Sequence, residues 1–307
     1  MSSIRCERLT KSYGAKLAVD SLNFEVEQGE VVGLLGPNGA GKTTTLRMLL
    51  GLISPSSGHV LVLDHAPGDQ AAIAAIGSMV EEPAFYPWLS GRGNMQVLAD
   101  TGAPVPAGAI DAALDQAGAM SFAGGRVGTY SQGMRQRLGM AAALLRSPRL
   151  LLLDEPTNGL DPEGIREFRA LVRDLAGRGV TILLSSHLLG EVEQVCDRVT
   201  VLLGGRLVAE ARPAALSEKR TYRVVVAPDE VDAAADNLQG FRVERIPPDT
   251  LIVSAPSGRE ISLALAAARI APEALVPEQP SLEAWYLDIT SPDPEEGRHA
   301  DHAPAAR

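Results

Sequence analysis

Residues 36–43 read Gly36-Pro37-Asn38-Gly39-Ala40-Gly41-Lys42-Thr43, followed by Thr44. The stretch fits G-x-x-x-x-G-K-[ST], and its surroundings suit that pattern. An apolar run, Val31–Leu35, precedes it, as expected of a buried strand. Leu46, Leu49, Leu50 and Ile53 follow at helical spacing, predicting a helix over 43–52. A strand, a glycine-rich turn and a helix make a phosphate cradle. Glycines let backbone N–H groups converge on phosphate oxygens with no Cβ in the way. The helix start adds the positive end of its dipole. In such a loop the lysine, here Lys42, reaches the β- and γ-phosphates, and the hydroxyl of Thr43 ligates Mg²⁺.

A second segment supplies the acids that this chemistry needs. Residues 150–153 are four leucines, closed by Asp154 and Glu155. An apolar strand ending in a carboxylate delivers Asp154 beside the magnesium. Glu155 then lies near the attacking water, placed to act as a general base.

Around these segments the first two thirds of the chain read as alternating strands and helices. Leu22, Phe24 and Val26 alternate with polar residues. Residues 180–184 form a further apolar run, and 163–176 read as a helix with Ile165, Phe168, Leu171, Val172 and Leu175 on one face. Gly204-Gly205 between 199–203 and 207–209 signals a hairpin. The pattern predicts an α/β domain with a mostly parallel sheet. Residues 84–147 differ: they are rich in Gly, Ala and Pro, lack strand runs, and read as a helical insertion.

A break is expected near Arg212-Pro213. Beyond it, 222–227 and 251–254 read as strands, 231–238 and 260–270 as helices, and Leu282, Trp285 and Tyr286 as a last short helix. These elements suggest a small accessory α+β domain over 213–290, of ferredoxin-like kind. Residues 291–307 have the composition of a disordered tail.

Composition bounds the remaining possibilities. The chain has 307 residues, 28 Lys+Arg against 38 Asp+Glu, and a net charge of -10. Residues 1–212 hold 19 basic and 22 acidic side chains, and residues 213–307 hold 9 and 16, so the excess acid lies away from the phosphate loop. This balance argues against a basic nucleic-acid face, and no nucleic-acid partner is expected. No apolar run approaches the roughly 18 residues of a membrane span, and none follows Met1 as a secretion signal would. Two cysteines, Cys6 and Cys196, cannot build a disulfide framework. A cytosolic chain is the expectation.

With both phosphate-loop segments in place, the sequence resembles the ATP-binding subunits of the ABC transporter superfamily over roughly residues 1–212. Tyr130-Ser131-Gln132-Gly133-Met134 resembles the family signature, usually Leu-Ser-Gly-Gly-Gln; Ser131 and Gly133 match and the other three depart. Asn158-Gly159-Leu160-Asp161 resembles the D-loop, and His187 stands where the family has its switch histidine. Tyr13 stands where an aromatic residue stacks on adenine. Taken singly, Tyr13 reads as a surface or core tyrosine, His187 as a strand-end histidine, and Ser131 as a helix cap. Their order along one chain is what carries the resemblance.

The resemblance implies a P-loop NTPase fold with an antiparallel β subdomain and a helical subdomain. It implies ATP and Mg²⁺ as cofactors, catalysis by Glu155 and His187, and an ATP-sandwich homodimer in which Ser131, Gln132 and Gly133 of one copy face the γ-phosphate held by the other. It also implies a separate integral membrane permease, which would keep the chain peripheral on the inner face of the membrane. Where the family usually has a metal-ligating glutamine, Glu81 stands here, with Glu82 taking that place if the register shifts by one. The aromatic stretch Phe85-Tyr86-Pro87-Trp88-Leu89 after it reads either as core packing or as a groove edge for a permease helix. Glu81, the altered signature and the C-terminal region resemble the antibiotic-export branch of bacitracin and daunorubicin exporters. The other readings are a soluble ABC ATPase acting on translation or DNA, and a module that holds ATP without turnover.

Overall fold

The computed structural model describes residues 2–80, 84–217, 221–278 and 282–290. Glu81 and Glu82 lie outside the described residues, as does the 291–307 segment expected as a tail. Two compact units divide between Arg212 and Pro213.

In the first unit the elements run β1 (Ser2–Tyr13), β2 (Lys16–Glu27), β3 (Val31–Leu35), α1 (Lys42–Leu49), β4 (Ser57–Val62), α2 (Gln70–Ala74), β5 (Ile76–Met79), α3 (Gly91–Asp100), α4 (Ala109–Gln116), α5 (Gln132–Leu144), β6 (Leu150–Asp154), α6 (Pro162–Gly177), β7 (Thr181–Ser185), α7 (Leu189–Val195), β8 (Arg198–Leu203) and β9 (Arg206–Ala211). Six strands form one sheet in the order β5-β6-β7-β3-β8-β9. The first five are parallel, and β9 closes the edge as the antiparallel arm of the Gly204-Gly205 hairpin. All five residues of β3 and of β7 are buried. That explains why these strands read as continuous apolar runs, since both faces of a parallel sheet are covered.

A second, three-stranded antiparallel sheet has the order β2-β1-β4. Its Ile4, Leu9, Val19 and Phe24 pack in one core with Leu34, Leu152 and Leu183 of the six-stranded sheet and with Leu46, Met48 and Leu49 of α1. The phosphate-loop helix is therefore clamped by apolar burial, worth about 1.5–3 kcal/mol per large side chain. It ends at Leu49, short of the expected Leu52, because Gly51 turns the chain at φ 71°. The 84–147 region is helical, with α3, α4, α5 and two 3-10 turns; its one strand-like feature among the described residues is an isolated bridge between Ser90 and Arg126.

The second unit contains α8 (Pro213–Ser217), β10 (Thr221–Val225), α9 (Val231–Asn237), β11 (Arg242–Ile246), β12 (Thr250–Ser254), α10 (Gly258–Ala267), β13 (Ala274–Glu278) and α11 (Leu282–Thr290). Its sheet is antiparallel in the order β11-β12-β10-β13. The β-α-β-β-α-β sequence with that order is the ferredoxin-like arrangement. Val224, Leu251 and Val253 of the sheet pack with Ala234, Ile261 and Leu265 of the two helices and with Leu238, which caps α9.

Candidate functional site

The phosphate loop crosses from β3 to α1 in a conformation that glycine permits. Gly41 caps α1 at φ 104°, and a Cβ there would sit 2.5 Å from the Ala18 carbonyl oxygen. A Cβ on Gly36 (φ 150°) would sit 2.4 Å from the Leu202 carbonyl oxygen. The cradle is thus shaped by missing side chains, and its N–H groups lie at the positive end of α1.

Tyr13, Lys16, Ala18, residues 37–44, Asp154 and Glu155 line a cleft of about 280 Å³. Lys42 is buried, and its Nζ donates to the Gly36 carbonyl at 2.6 Å. The hydroxyl of Thr43 donates to Oδ2 of Asp154 at 2.6 Å. A hydroxyl and a carboxylate oxygen together are hard donors of the kind that suit Mg²⁺, so these two residues fit that ion. Tyr13 stands half exposed at the cleft mouth, paired across the β1–β2 turn with Lys16 and with the Lys11 ammonium 5.2 Å from its ring centre.

Glu155 leaves β6 in the left-handed region, at φ 48°. Its Oε1 is 3.9 Å from Lys42 Nζ, and its Oε2 is 2.6 Å from Nδ1 of His187. Asp154 pairs in register with Ser185 on β7, so the two strand ends bring His187 over Glu155. Three side chains from three separate segments, Lys42, Glu155 and His187, thereby form one constellation.

Residues 131–133 lie elsewhere. Ser131 caps α5, its Oγ accepting from the Met134 N–H at 3.2 Å. A Cβ on Gly133 would sit 3.0 Å from the Gly159 carbonyl oxygen, so this turn packs on the 158–161 loop. Asp161 in that loop caps α6 by accepting from the Gly164 N–H at 2.8 Å. Among the described residues that line the cleft, none comes from 131–133. The departure at Tyr130 has a structural reason: its ring is buried edge-on to Phe122, and its hydroxyl donates to the Phe122 carbonyl at 2.7 Å.

Reading the sequence missed Lys16 and Ala18 in the cleft wall, Ser185 beneath the carboxylates, and Gln136. The Gln136 amide donates to the Pro156 carbonyl at 2.9 Å and the Glu155 carbonyl at 3.4 Å. Its place one turn into α5 was the available signal. Cys6 and Cys196 are both buried, and burial pushes the Cys6 thiol up to about 12 and raises that of Cys196 as well, so neither is a ready nucleophile.

Comparison with known proteins agrees with this geometry. The family described as ABC transporter matches residues 19–158. An uncharacterized ABC transporter ATP-binding protein of Bacillus subtilis, YdbJ, is 35% identical over 96% of this chain and 97% of its own length. The bacitracin transport ATP-binding protein BcrA of Bacillus licheniformis is 47% identical over 67% of this chain and 69% of its own length. Among solved structures, a dimeric post-hydrolysis state of the ATP-binding cassette MJ0796 with ADP and Pi matches with TM-score 0.64, covering 68% of this chain and 98% of that one; at 24% identity it supports the fold. The chain belongs to the ABC transporter family as one of its ATP-binding, ATP-hydrolysing subunits.

Proposed function

We propose that this subunit energises a separate membrane permease that exports an antibiotic or related drug, and that it works as a head-to-tail dimer of two copies. The observation that carries the dimer is the separation within one chain: the cleft holds Lys42, Asp154 and Glu155, while 131–133 begin another helix outside its lining. A second copy brings its Ser131, Gln132 and Gly133 to the open side of the cleft, and isologous symmetry makes two equal sites. ATP favours closure because those bridging contacts exist only in the closed state.

The chemistry follows from the positions. Residues 36–44 hold the phosphates, and Tyr13 offers its ring to the adenine. Oε2 of Glu155 is engaged by His187, which leaves Oε1, the oxygen nearer Lys42, to take a proton from water. The water oxygen bonds the γ-phosphorus, the bond to the β–γ bridging oxygen breaks, and ADP and phosphate form. His187, held through Nδ1, turns Nε2 towards the γ-phosphate. Thr43 and Asp154, with Glu81 in the expected register, would hold Mg²⁺, which when bound neutralises charge building on the phosphate oxygens.

The permease partner is supported by the family and by the exposed pair Tyr86 and Trp88, whose rings lie 5.3 Å apart in the loop before α3. Asn94 ties that loop through both the Tyr86 N–H and its carbonyl. Among the described residues no helix is long and apolar enough to cross a membrane, so attachment at the inner face of the membrane would run through the partner. The export reading rests on likeness to the bacitracin transport protein.

Co-expression with any integral membrane protein encoded beside its gene tests this reading. The expected result is co-purification and raised tolerance to bacitracin-like peptides, lost in Glu155→Gln. Failure of the two proteins to associate would remove the permease role.

A further inference from the structure

Asp154 and Glu155 share one support, Ser185. Ser185 closes β7 and is fully buried, directly in register with Asp154. Its hydroxyl donates to Oδ1 of Asp154. The same oxygen accepts the N–H of Glu155 at 3.0 Å, and the Ser185 carbonyl accepts that N–H at 3.2 Å.

A hydroxyl has one proton and two lone pairs. An ionised carboxylate can only accept, so the Ser185 proton is committed to Asp154 and a lone pair is left for Glu155. Both ends of the bond pattern are therefore determined. With Oδ1 tied to Ser185, Oδ2 of Asp154 is turned to the Thr43 hydroxyl. With its N–H tied to Ser185, Glu155 is kept in the left-handed conformation that a non-glycine residue avoids without support. That conformation swings its side chain back over the strand ends, between Lys42 and His187.

We propose that Ser185 is a positioning residue that sets both carboxylates at once: Asp154 towards Thr43, and Glu155 towards the reacting water. It is not among the residues that line the cleft. The inference rests on Glu155 being the general base.

The test uses the full chain with Ser185→Ala, Ser185→Cys and Ser185→Thr, and Glu155→Gln as reference. The phosphate cradle is untouched by these changes, so ATP affinity without Mg²⁺ should stay within about threefold. Displacement of the base should lower kcat about 10- to 100-fold in the Ala variant. The extra rise in thermal midpoint that Mg²⁺ gives over ATP alone should shrink in parallel, a readout independent of turnover. Cysteine fills the space but donates weakly, so Ser185→Cys should behave like Ala, while Ser185→Thr should recover most of kcat. Wild-type kcat in Ser185→Ala, full recovery by Ser185→Cys, or a loss of ATP affinity equal to the loss of kcat would overturn the proposal. Wild-type turnover in Glu155→Gln would instead strike the base assignment, whatever Ser185 does.

Discussion

Nδ1 of His187 lies 2.6 Å from Oε2 of Glu155, joining the segments that follow β7 and β6. On the proposed scheme Glu155 is the general base, which must present one oxygen to water in a fixed direction, and this bond would fix it. His187→Ala should lower kcat about 100-fold, the scale of a misdirected base. ATP affinity should change little, because the cradle is intact. Steady-state hydrolysis together with a fluorescent-nucleotide titration separates the two.

Lys42 has the opposite signature. Its ammonium is buried and directed into the loop, where on the proposed scheme it would meet the phosphates in both ground and transition states. Lys42→Ala should weaken ATP binding about 10- to 100-fold, the scale of a lost hydrogen bond to a charged group. Normal affinity in equilibrium dialysis would place the nucleotide elsewhere.

Gly41→Ala tests the cradle by shape rather than charge. Its Cβ would meet the Ala18 carbonyl oxygen at 2.5 Å, in a backbone conformation that side chains disfavour. The start of α1 must shift, so stability should fall by about 1–3 kcal/mol. Nucleotide-induced thermal stabilisation should fall with it in the same melting series.

A pH test addresses the ion-pair cluster that joins β3 and β8 at the far end of the sheet. Burial pushes the Glu30 carboxyl up, but hydrogen bonds from Arg198 and the Glu27 N–H, with the Arg198 charge, outweigh it and hold it below the usual carboxylate range. A depressed carboxylate contributes stability above its unfolded pKa, near 4.3, and loses it as pH falls through the lower folded value. Arg198→Met leaves Glu30 largely buried without that partner and should cost about 3 kcal/mol near neutral pH. Its denaturation curves should then lose less stability than wild type as pH falls from neutral through the ordinary carboxylate value and below it, the range over which a depressed carboxyl gives up its stabilisation.

Much of the site was legible because it is written in short, ordered motifs on buried parallel strands. β3, β6 and β7 read as apolar runs since both faces are covered, and the glycines of 36–41 mark the cradle. β1 was not legible. Its pairing with β2 shifts register several times, and Arg8 takes φ 48°, so the apolar residues Ile4, Cys6 and Leu9 lose strict alternation. The β11 strand, Arg-Val-Glu-Arg-Ile, is mostly exposed on the sheet edge and carries little apolar signal. Ser185 could be seen only as a strand end. Its hold on Asp154 and Glu155 depends on the register between β6 and β7, which no local pattern encodes.

The reaction scheme stands or falls on Glu155, and one variant examines it together with the dimer. Glu155→Gln removes the proton acceptor and keeps the shape. Hydrolysis should fall about 10²–10⁴-fold, while ATP is still bound by residues 36–44. Light scattering in the presence of ATP should then report a particle of twice the 32.3 kDa chain mass, accumulating because the closed state is no longer emptied by turnover. Undiminished hydrolysis would remove Glu155 from the mechanism, and a monomer at saturating ATP would refute the composite site.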